Sequence, residues 1–206
     1  MSFRKAIFLV DDEEPLRKAL GRLLAAEGFQ VTPFASAEEF LRAKPLIGGS
    51  CVLLDISMPG IDGLELQRQL AAAVPPPAIV FLTGHGDIPM SVQAIKAGAV
   101  DFLTKPVDDT DLLRAVRAGL AKAAVQQAAA AQLAEWRTRL ETLTPREHEV
   151  LRHVLSGRLN KQIASDLGVV EHTIKMHRGR VMEKMAVDSV AELARIASRL
   201  GVVPAP

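Results

Sequence analysis

The sequence has no tyrosine, one tryptophan and one cysteine among its 206 residues. A single cysteine excludes an internal disulfide, which fits a reducing, cytoplasmic environment, and the position of Cys51 inside an apolar run predicts an inert buried thiol. The longest apolar runs fall far short of the ~20 residues that a membrane helix needs, so we expect no association with a membrane. Acidic residues follow the first short apolar stretch at once, which argues against a secretion signal.

An excess of one charge sign is also missing, because the chain carries a formal net charge of only +1. The charge is unevenly distributed, however. Residues 1–122 contain 13 Lys/Arg against 15 Asp/Glu, and residues 123–206 contain 12 against 9. The second part is mildly basic, which is compatible with a nucleic-acid partner but too weak to predict one.

Residues 1–122 alternate short apolar runs with segments of helical periodicity, such as the leucines at positions 16, 20, 23 and 24. The runs have the length of buried strands: Ala6–Val10, Val31–Phe34, Cys51–Leu54, Ala78–Leu82 and Val100–Leu103. Strands that alternate with helices favour βαβ units. We therefore predict an α/β, doubly wound, five-stranded parallel sheet as a first domain over residues 1–122.

Residues 123–141 are rich in alanine and glutamine and contain neither glycine nor proline. This composition favours a helix, so we predict a helical linker. Two interpretations stay open, a passive spacer and a helix that couples or dimerises the domains.

After the linker only helical patterns follow, which predicts a small all-α domain over residues 142–206. Thr144, Pro145 and Glu147 have the order of an N-cap, a first helical residue and a capping-box partner. Asn160 is the predicted cap of a short second helix that ends at Gly168. Further helices are predicted at about 171–185 and 189–200, and the two helices joined through Gly168 predict a helix-turn-helix.

Polar residues stand where the predicted strands end. Asp11 and Asp12 follow the first strand, Asp55 the third, Thr83 the fourth and Lys105 the fifth. A lone Asp at a strand end is usually a turn or cap residue, but parallel strands bring all these ends to one edge. Three carboxylates there predict a Mg²⁺ site, and the lysine and hydroxyl suit an incoming phosphoryl group.

Four segments together resemble the receiver domain of bacterial response regulators, which has a flavodoxin-like fold. They are Val10–Glu13, Leu54–Gly60, Thr83–Gly84 and Asp101–Pro106. The resemblance implies that Asp55 accepts a phosphoryl group from a sensor histidine kinase, as the nucleophile that faces the open edge of the sheet.

The same resemblance assigns roles around Asp55. It implies that Mg²⁺ is bound by Asp12 directly, by Asp11 through water, by Asp55 and by the backbone carbonyl of Ser57. Lys105 would contact the phosphate, and its bond to Pro106 is expected to be cis. Thr83 and Phe102 resemble the switch pair, whose rearrangement reports phosphorylation.

The second part is similar to the LuxR-type DNA-binding domain, in its FixJ/NarL response-regulator branch. The matching pieces are Leu143–Glu147, Asn160–Ala164 and Thr173–His177. A helical wheel places Ile174, Val181 and Met185 on the core side of the third helix. The candidate DNA-contacting residues are Lys161, His172, Thr173, Lys175, Met176, Arg178 and Arg180. Val170 stands where the family usually has a Ser or Thr cap, so we expect a less stable start of that helix.

These features predict a phosphorylation-controlled transcriptional regulator that dimerises on phosphorylation and binds double-stranded promoter DNA, with RNA polymerase as a further candidate partner. We predict no enzymatic activity beyond its own phosphoryl transfer and slow hydrolysis. A phosphorylation-independent adaptor and an RNA-binding antiterminator are the alternatives. Retention of all the acidic residues and Lys105 disfavours the adaptor, and the helix-turn-helix pattern disfavours the antiterminator. An aspartyl phosphatase is excluded, because Ser57 stands where such enzymes place a second Asp.

Overall fold

The computed structural model describes residues 6–45, 47–84 and 88–206, without the side chain of Ile88. Within it the chain forms two compact units that divide between Ala130 and Ala131. The rest of the predicted first domain, residues 1–5, 46 and 85–87, lies outside the described residues. Across the part of the chain that is described, none of the helices has both the length and the apolar character needed to cross a membrane.

The first unit is a five-stranded, fully parallel sheet with helices on both faces, which confirms the predicted fold class. The strand order is β2-β1-β3-β4-β5. The strands are β1 (Ala6–Val10), β2 (Gln30–Phe34), β3 (Cys51–Asp55), β4 (Ala78–Thr83) and β5 (Asp101–Thr104). The helices are α1 (Glu14–Ala26), α2 (Ala37–Ala43), α3 (Gly63–Leu70), α4 (Ile88–Lys96) and α5 (Asp109–Glu141).

The apolar strand residues alternate between two cores, one on each face of the sheet. Phe8, Leu54 and Phe81 belong to one core, and Leu9 and Leu53 belong to the other. A strand covered on both faces must be apolar throughout, which explains the unbroken runs in the sequence. Because β1 pairs with both β2 and β3, the chain reverses its winding direction there, and a crevice opens beyond the ends of β1 and β3.

The second unit contains the end of α5 and four further helices around one core. They are α6 (Pro145–Leu155), α7 (Asn160–Asp166), α8 (Glu171–Met185) and α9 (Val190–Arg199). The capping box of α6 is confirmed, because Thr144 and Glu147 bond to each other's backbone N–H.

The prediction that Asn160 caps α7 is wrong. Leu159 occupies the N-cap, and its N–H donates to the side chain of Gln162 at 2.8 Å. Asn160 is the first helical residue, and its side chain accepts a bond from Arg178 on α8 instead. The polar side chain is therefore used to join two helices rather than to start one.

Residues 123–141 are helical, as part of the single helix α5 that begins at Asp109. The boundary between the compact units lies inside the predicted linker. The domain limits at residues 122 and 142 stay a prediction.

Candidate functional site

Three carboxylates lie together at the carboxyl edge of the sheet. Asp55 is the last residue of β3, and Asp11 directly follows β1, its neighbour in the sheet. One oxygen from each of Asp11, Asp12 and Asp55 lies within 4.8 Å of the others. The pairing of β1 with β3 thus brings together residues that are more than forty positions apart in the sequence.

Lys105 reaches into this cluster from the end of β5. Its Nζ lies 2.8 Å from Oδ2 of Asp11, 2.9 Å from Oε1 of Glu13 and 3.0 Å from Oδ2 of Asp55. The backbone N–H of Lys105 donates to the carbonyl of Thr83 at 2.6 Å, which ties the loop to the end of β4. The Lys105–Pro106 peptide bond is cis, as expected.

Backbone groups orient the carboxylates. The N–H of Glu13 donates to Oδ1 of Asp11 at 2.8 Å, and the N–H of Ser57 donates to Oδ1 of Asp55 at 3.2 Å. Gly63 begins α3 so close to β3 that a Cβ there would overlap the Asp55 carbonyl. The two N–H bonds occupy Oδ1 of Asp11 and Oδ1 of Asp55, so Oδ2 of each carboxylate is left for a cation.

Asp55 is more enclosed than the sequence indicates. It is only 3% exposed and Asp11 is fully buried, whereas Asp12 is exposed. The expectation that Asp55 faces an open edge is therefore wrong for this structure, in which the Nζ atom of Lys105 lies 3.0 Å from its Oδ2.

Burial and pairing act in opposite directions on the charges. Burial raises the pKa of Asp11 above its usual value, although Lys105 partly offsets the effect. Burial alone would lower the pKa of Lys105, but its hydrogen bonds to Asp11, Glu13 and Asp55 raise it above its usual value. Lys105 is therefore a permanent cation that compensates an excess of buried negative charge.

The donor set fits a magnesium ion. Carboxylate oxygens are the ligands that this hard cation prefers. Oδ2 of Asp11 is buried, and the Nζ atom of Lys105 lies 2.8 Å from it. The three carboxylates carry more negative charge than one lysine neutralises, so a further cation at this edge is favourable. The part of the Ser57 carbonyl in binding the ion stays a prediction.

The predicted switch residues lie on the neighbouring strands β4 and β5. Thr83 is the last residue of β4 and is 1% exposed. Phe102, on β5, is half-buried, and its ring centre lies 6.4 Å from that of Phe81 on β4. Their function as a switch stays a prediction.

The exposed side of α8 is the candidate nucleic-acid interface. Ile174, Val181 and Met185 are buried, as the helical wheel predicts. The opposite side is exposed and consists of His172, Lys175, Met176, Gly179, Arg180 and Glu183. The start of α8 has no side-chain cap, in line with the expectation for Val170.

The remaining predicted contact residues differ in how free they are. Lys161, near the start of α7, is exposed, while Thr173 is half-buried. Arg178 is also half-buried and donates to Oδ1 of Asn160 at 3.1 Å. Arg178 therefore joins α7 to α8, in addition to any contact that it makes with DNA.

Glu13 and Gly63 take part in the first site, although the sequence analysis assigned them no function. A signal for Glu13 existed, because it stands in the same acidic run as Asp11 and Asp12. Gly63 had no such signal, since the need for a residue without a side chain depends on the distance between α3 and β3.

A receiver-type acidic site followed by a helix-turn-helix unit defines a response regulator that acts on transcription. The family models agree with the two parts. Residues 7–117 match the response regulator receiver domain, and residues 141–197 match the bacterial regulatory proteins of the luxR family. The chain belongs to the response regulators that carry a LuxR-type DNA-binding domain.

Relatives are similar over nearly the whole chain. The response regulator protein TmoT of Ectopseudomonas mendocina is 45% identical over 194 residues, which cover 94% of this chain and 88% of that protein. The transcriptional regulatory protein FixJ of Azorhizobium caulinodans is 41% identical, with coverage of 97% and 94%. The low-resolution structure of the response regulator StyR is 41% identical and has a TM-score of 0.82, with coverage of 95% and 99%.

Proposed function

We propose that this response regulator controls transcription through phosphorylation of Asp55 by a sensor histidine kinase, with Mg²⁺ as the cofactor. Phosphorylation promotes homodimerisation and binding to promoter DNA. The observation that carries the proposal is the contact of Lys105 with both Asp55 and Asp11 at the carboxyl edge of the sheet. Relatives of this chain are described as transcriptional regulatory proteins, which supports the proposed output.

The transfer uses a carboxylate oxygen of Asp55 as the nucleophile. This oxygen attacks the phosphorus of a phosphohistidine, the N–P bond breaks, and its electron pair stays on the imidazole nitrogen, which takes up a proton. The product is an acyl phosphate on Asp55. Mg²⁺, bound by Asp11, Asp12, Asp55 and the Ser57 carbonyl, would supply positive charge to the transferring phosphoryl oxygens.

Lys105 links the transfer to a conformational change. Its ammonium group is shared among three carboxylates before phosphorylation. The acyl phosphate adds negative charge at Asp55, so Lys105 moves from the carboxylate to the phosphate oxygens. The Thr83 hydroxyl then donates to the phosphate, and Phe102 moves into the space that Thr83 leaves.

The output surface is the exposed side of α8, which enters the major groove. Lys175 contacts guanine or a phosphate, and Met176 meets a thymine methyl group. His172 and Thr173 lie at the end of the helix that enters first, and Lys161, Arg178 and Arg180 contact phosphates. Two copies bind paired half-sites, since pairing multiplies a weak single affinity. RNA polymerase is a further partner of the DNA-bound dimer.

Phosphate incorporation tests the proposal. The wild-type protein is incubated with a small phosphodonor and Mg²⁺, and intact mass is measured. Wild type should gain one phosphoryl group, and Asp55→Asn should gain none. The control is Asp62→Asn, an exposed cap of α3 that asparagine replaces well. Incorporation into Asp55→Asn at the wild-type level would refute Asp55 as the acceptor.

A further inference from the structure

The end of α5 packs inside the second unit. Trp136 is only 7% exposed and belongs to the core that α6–α9 form, with Leu133 and Leu140 packed against it. The spacing of these three residues places them on one face of α5. Residues 131–141 therefore supply a wall of the helix-turn-helix unit.

Two cations hold Trp136 against α9. The guanidinium carbons of Arg195 and Arg199 lie 5.7 and 5.8 Å from the centre of its ring. These arginines are one helical turn apart, so both reach the same indole. Such contacts strengthen packing beyond the apolar area that is buried.

Arg139 contacts the end of α8. Its Nη1 donates to the carbonyl of Met185, the last residue of α8, at 3.2 Å. In the opposite direction, Lys184 of α8 donates to the carbonyl of Thr142 at 3.0 Å. The last carbonyls of a helix have no partner within it, and a cation there also suits the helix dipole. Arg139, near the end of α5, and Thr142, just after it, thus bond to the end of α8 in both directions.

We propose that Arg139 is a positioning residue for DNA recognition, and that the functional DNA-binding unit begins near residue 131. The inference depends on the proposed contact between α8 and DNA. Base recognition requires side chains to be held within about 0.5 Å of their working geometry. Arg139 and Trp136 hold one end of the helix that bears Lys175 and Met176, so their loss allows α8 to shift.

The experiment compares full-length variants on two DNA duplexes. One contains the site that wild type selects from random sequences, and the other is an unrelated duplex of equal length. Arg139→Met should weaken binding to the selected site about fivefold relative to the control. The control is Arg137→Met, which removes the same charge from an exposed position of the same helix. Arg139→Lys keeps a charged donor and should restore most of the affinity.

The ratio of the two affinities separates positioning from charge and stability. Loss of charge or of folded protein lowers the affinity for both duplexes alike, whereas a displaced α8 lowers the affinity for the selected site more. Emission of Trp136, the only tryptophan, shows whether the helix end stays packed in each variant.

Equal ratios for Arg139→Met and Arg137→Met, while Lys175→Ala weakens binding to the selected site, would overturn this inference alone. Failure of Arg139→Lys to restore binding would overturn the role of the bond to Met185. An unchanged affinity of Lys175→Ala for both duplexes would show that the exposed side of α8 does not contact DNA, and the inference would be wrong together with the proposed function.

Discussion

The acidic site of the first unit and the exposed side of α8 in the second differ in how their charges are accommodated. In the first, Asp11 and Asp55 are 0% and 3% exposed, and Lys105 pairs with both. On α8, Lys175 and Met176 stand exposed on the surface. Because buried charges are destabilising unless they are paired, the ion pairs of the acidic site affect the stability of the fold. The exposed side of α8 has little effect on folding stability, and its side chains contribute free energy only when a partner binds. Substitutions should therefore affect stability in the first case and binding in the second.

Removing the lysine from the acidic cluster should give the largest effect. Lys105→Met leaves Asp11 and Asp55 buried without their cation, so we expect a loss of about 3 kcal/mol in the free energy of unfolding, measured with denaturant in chelator. Added Mg²⁺ should stabilise the variant more than wild type, because a cation replaces the lost charge. The control, Lys96→Met on the exposed surface of α4, should change the value by less than about 0.5 kcal/mol. Equal losses in both variants would contradict the pairing.

Glu147 tests whether the loss of stability on substitution depends on the burial of the charge and not on the unit in which it lies. It is 2% exposed in the second unit, and its Oε2 accepts from the N–H of Thr144 and from Lys184 at 2.8 and 2.6 Å. Glu147→Gln should cost about 2 kcal/mol near neutral pH. The exposed Glu149→Gln should cost less than about 0.5 kcal/mol.

The pH dependence of this loss has a definite sign. Burial would raise the pKa of Glu147, but the bonds from Lys184 and Thr144 outweigh it and lower the pKa below the usual 4.5. Its stabilisation is therefore complete above pH 4.5 and is lost as the pH falls through the lowered pKa. Unfolding curves of wild type and Glu147→Gln should converge in acid. A gap that stays constant would show that the charge of Glu147 is not the cause.

An exposed cation should show the reverse behaviour. Lys175→Ala should weaken binding to the selected DNA site about tenfold, by loss of a contact to guanine or phosphate. Its free energy of unfolding should change by less than about 0.5 kcal/mol. Binding is measured at fixed salt beside Lys96→Ala, which removes an exposed lysine from the first unit. A fall in stability without a fall in affinity would invert the comparison.

The smallest effect is a gain at the start of α8. Val170→Thr places a side-chain acceptor at an N-cap that has none, so stability should rise by about 0.5–1 kcal/mol. Val203 is equally exposed, at 68%, but lies outside any helix. Val203→Thr should therefore leave the melting temperature unchanged. An equal rise in both variants would exclude capping as the reason.

The strands and the acidic site were accessible to sequence reasoning because both depend on short local patterns. A strand buried on both faces is an unbroken apolar run, and parallel strands end at one edge. Asp11, Asp55 and Lys105 could thus be brought together from positions spread over most of the first unit. The buried and exposed sides of α8 followed from helical periodicity in the same way.

Features that depend on distances between elements were not accessible. Asp55 is only 3% exposed and contacts Lys105, which lies fifty positions away, and no local pattern reports such a contact. Asn160 has the residue type of a cap, but a tertiary partner on α8 uses its side chain. Trp136 lies in a segment with the composition of a linker, and only the packing of α9 against it shows that it belongs to a core.

We propose above all that phosphorylation of Asp55 controls DNA binding by α8. The most direct measurement is the affinity for the selected DNA site with and without a beryllofluoride phosphate mimic and Mg²⁺, in wild type and Asp55→Asn. Wild type should bind at least about tenfold more tightly with the mimic, and Asp55→Asn should not respond. Identical responses of the two proteins, whether both tighten or neither does, would contradict the account.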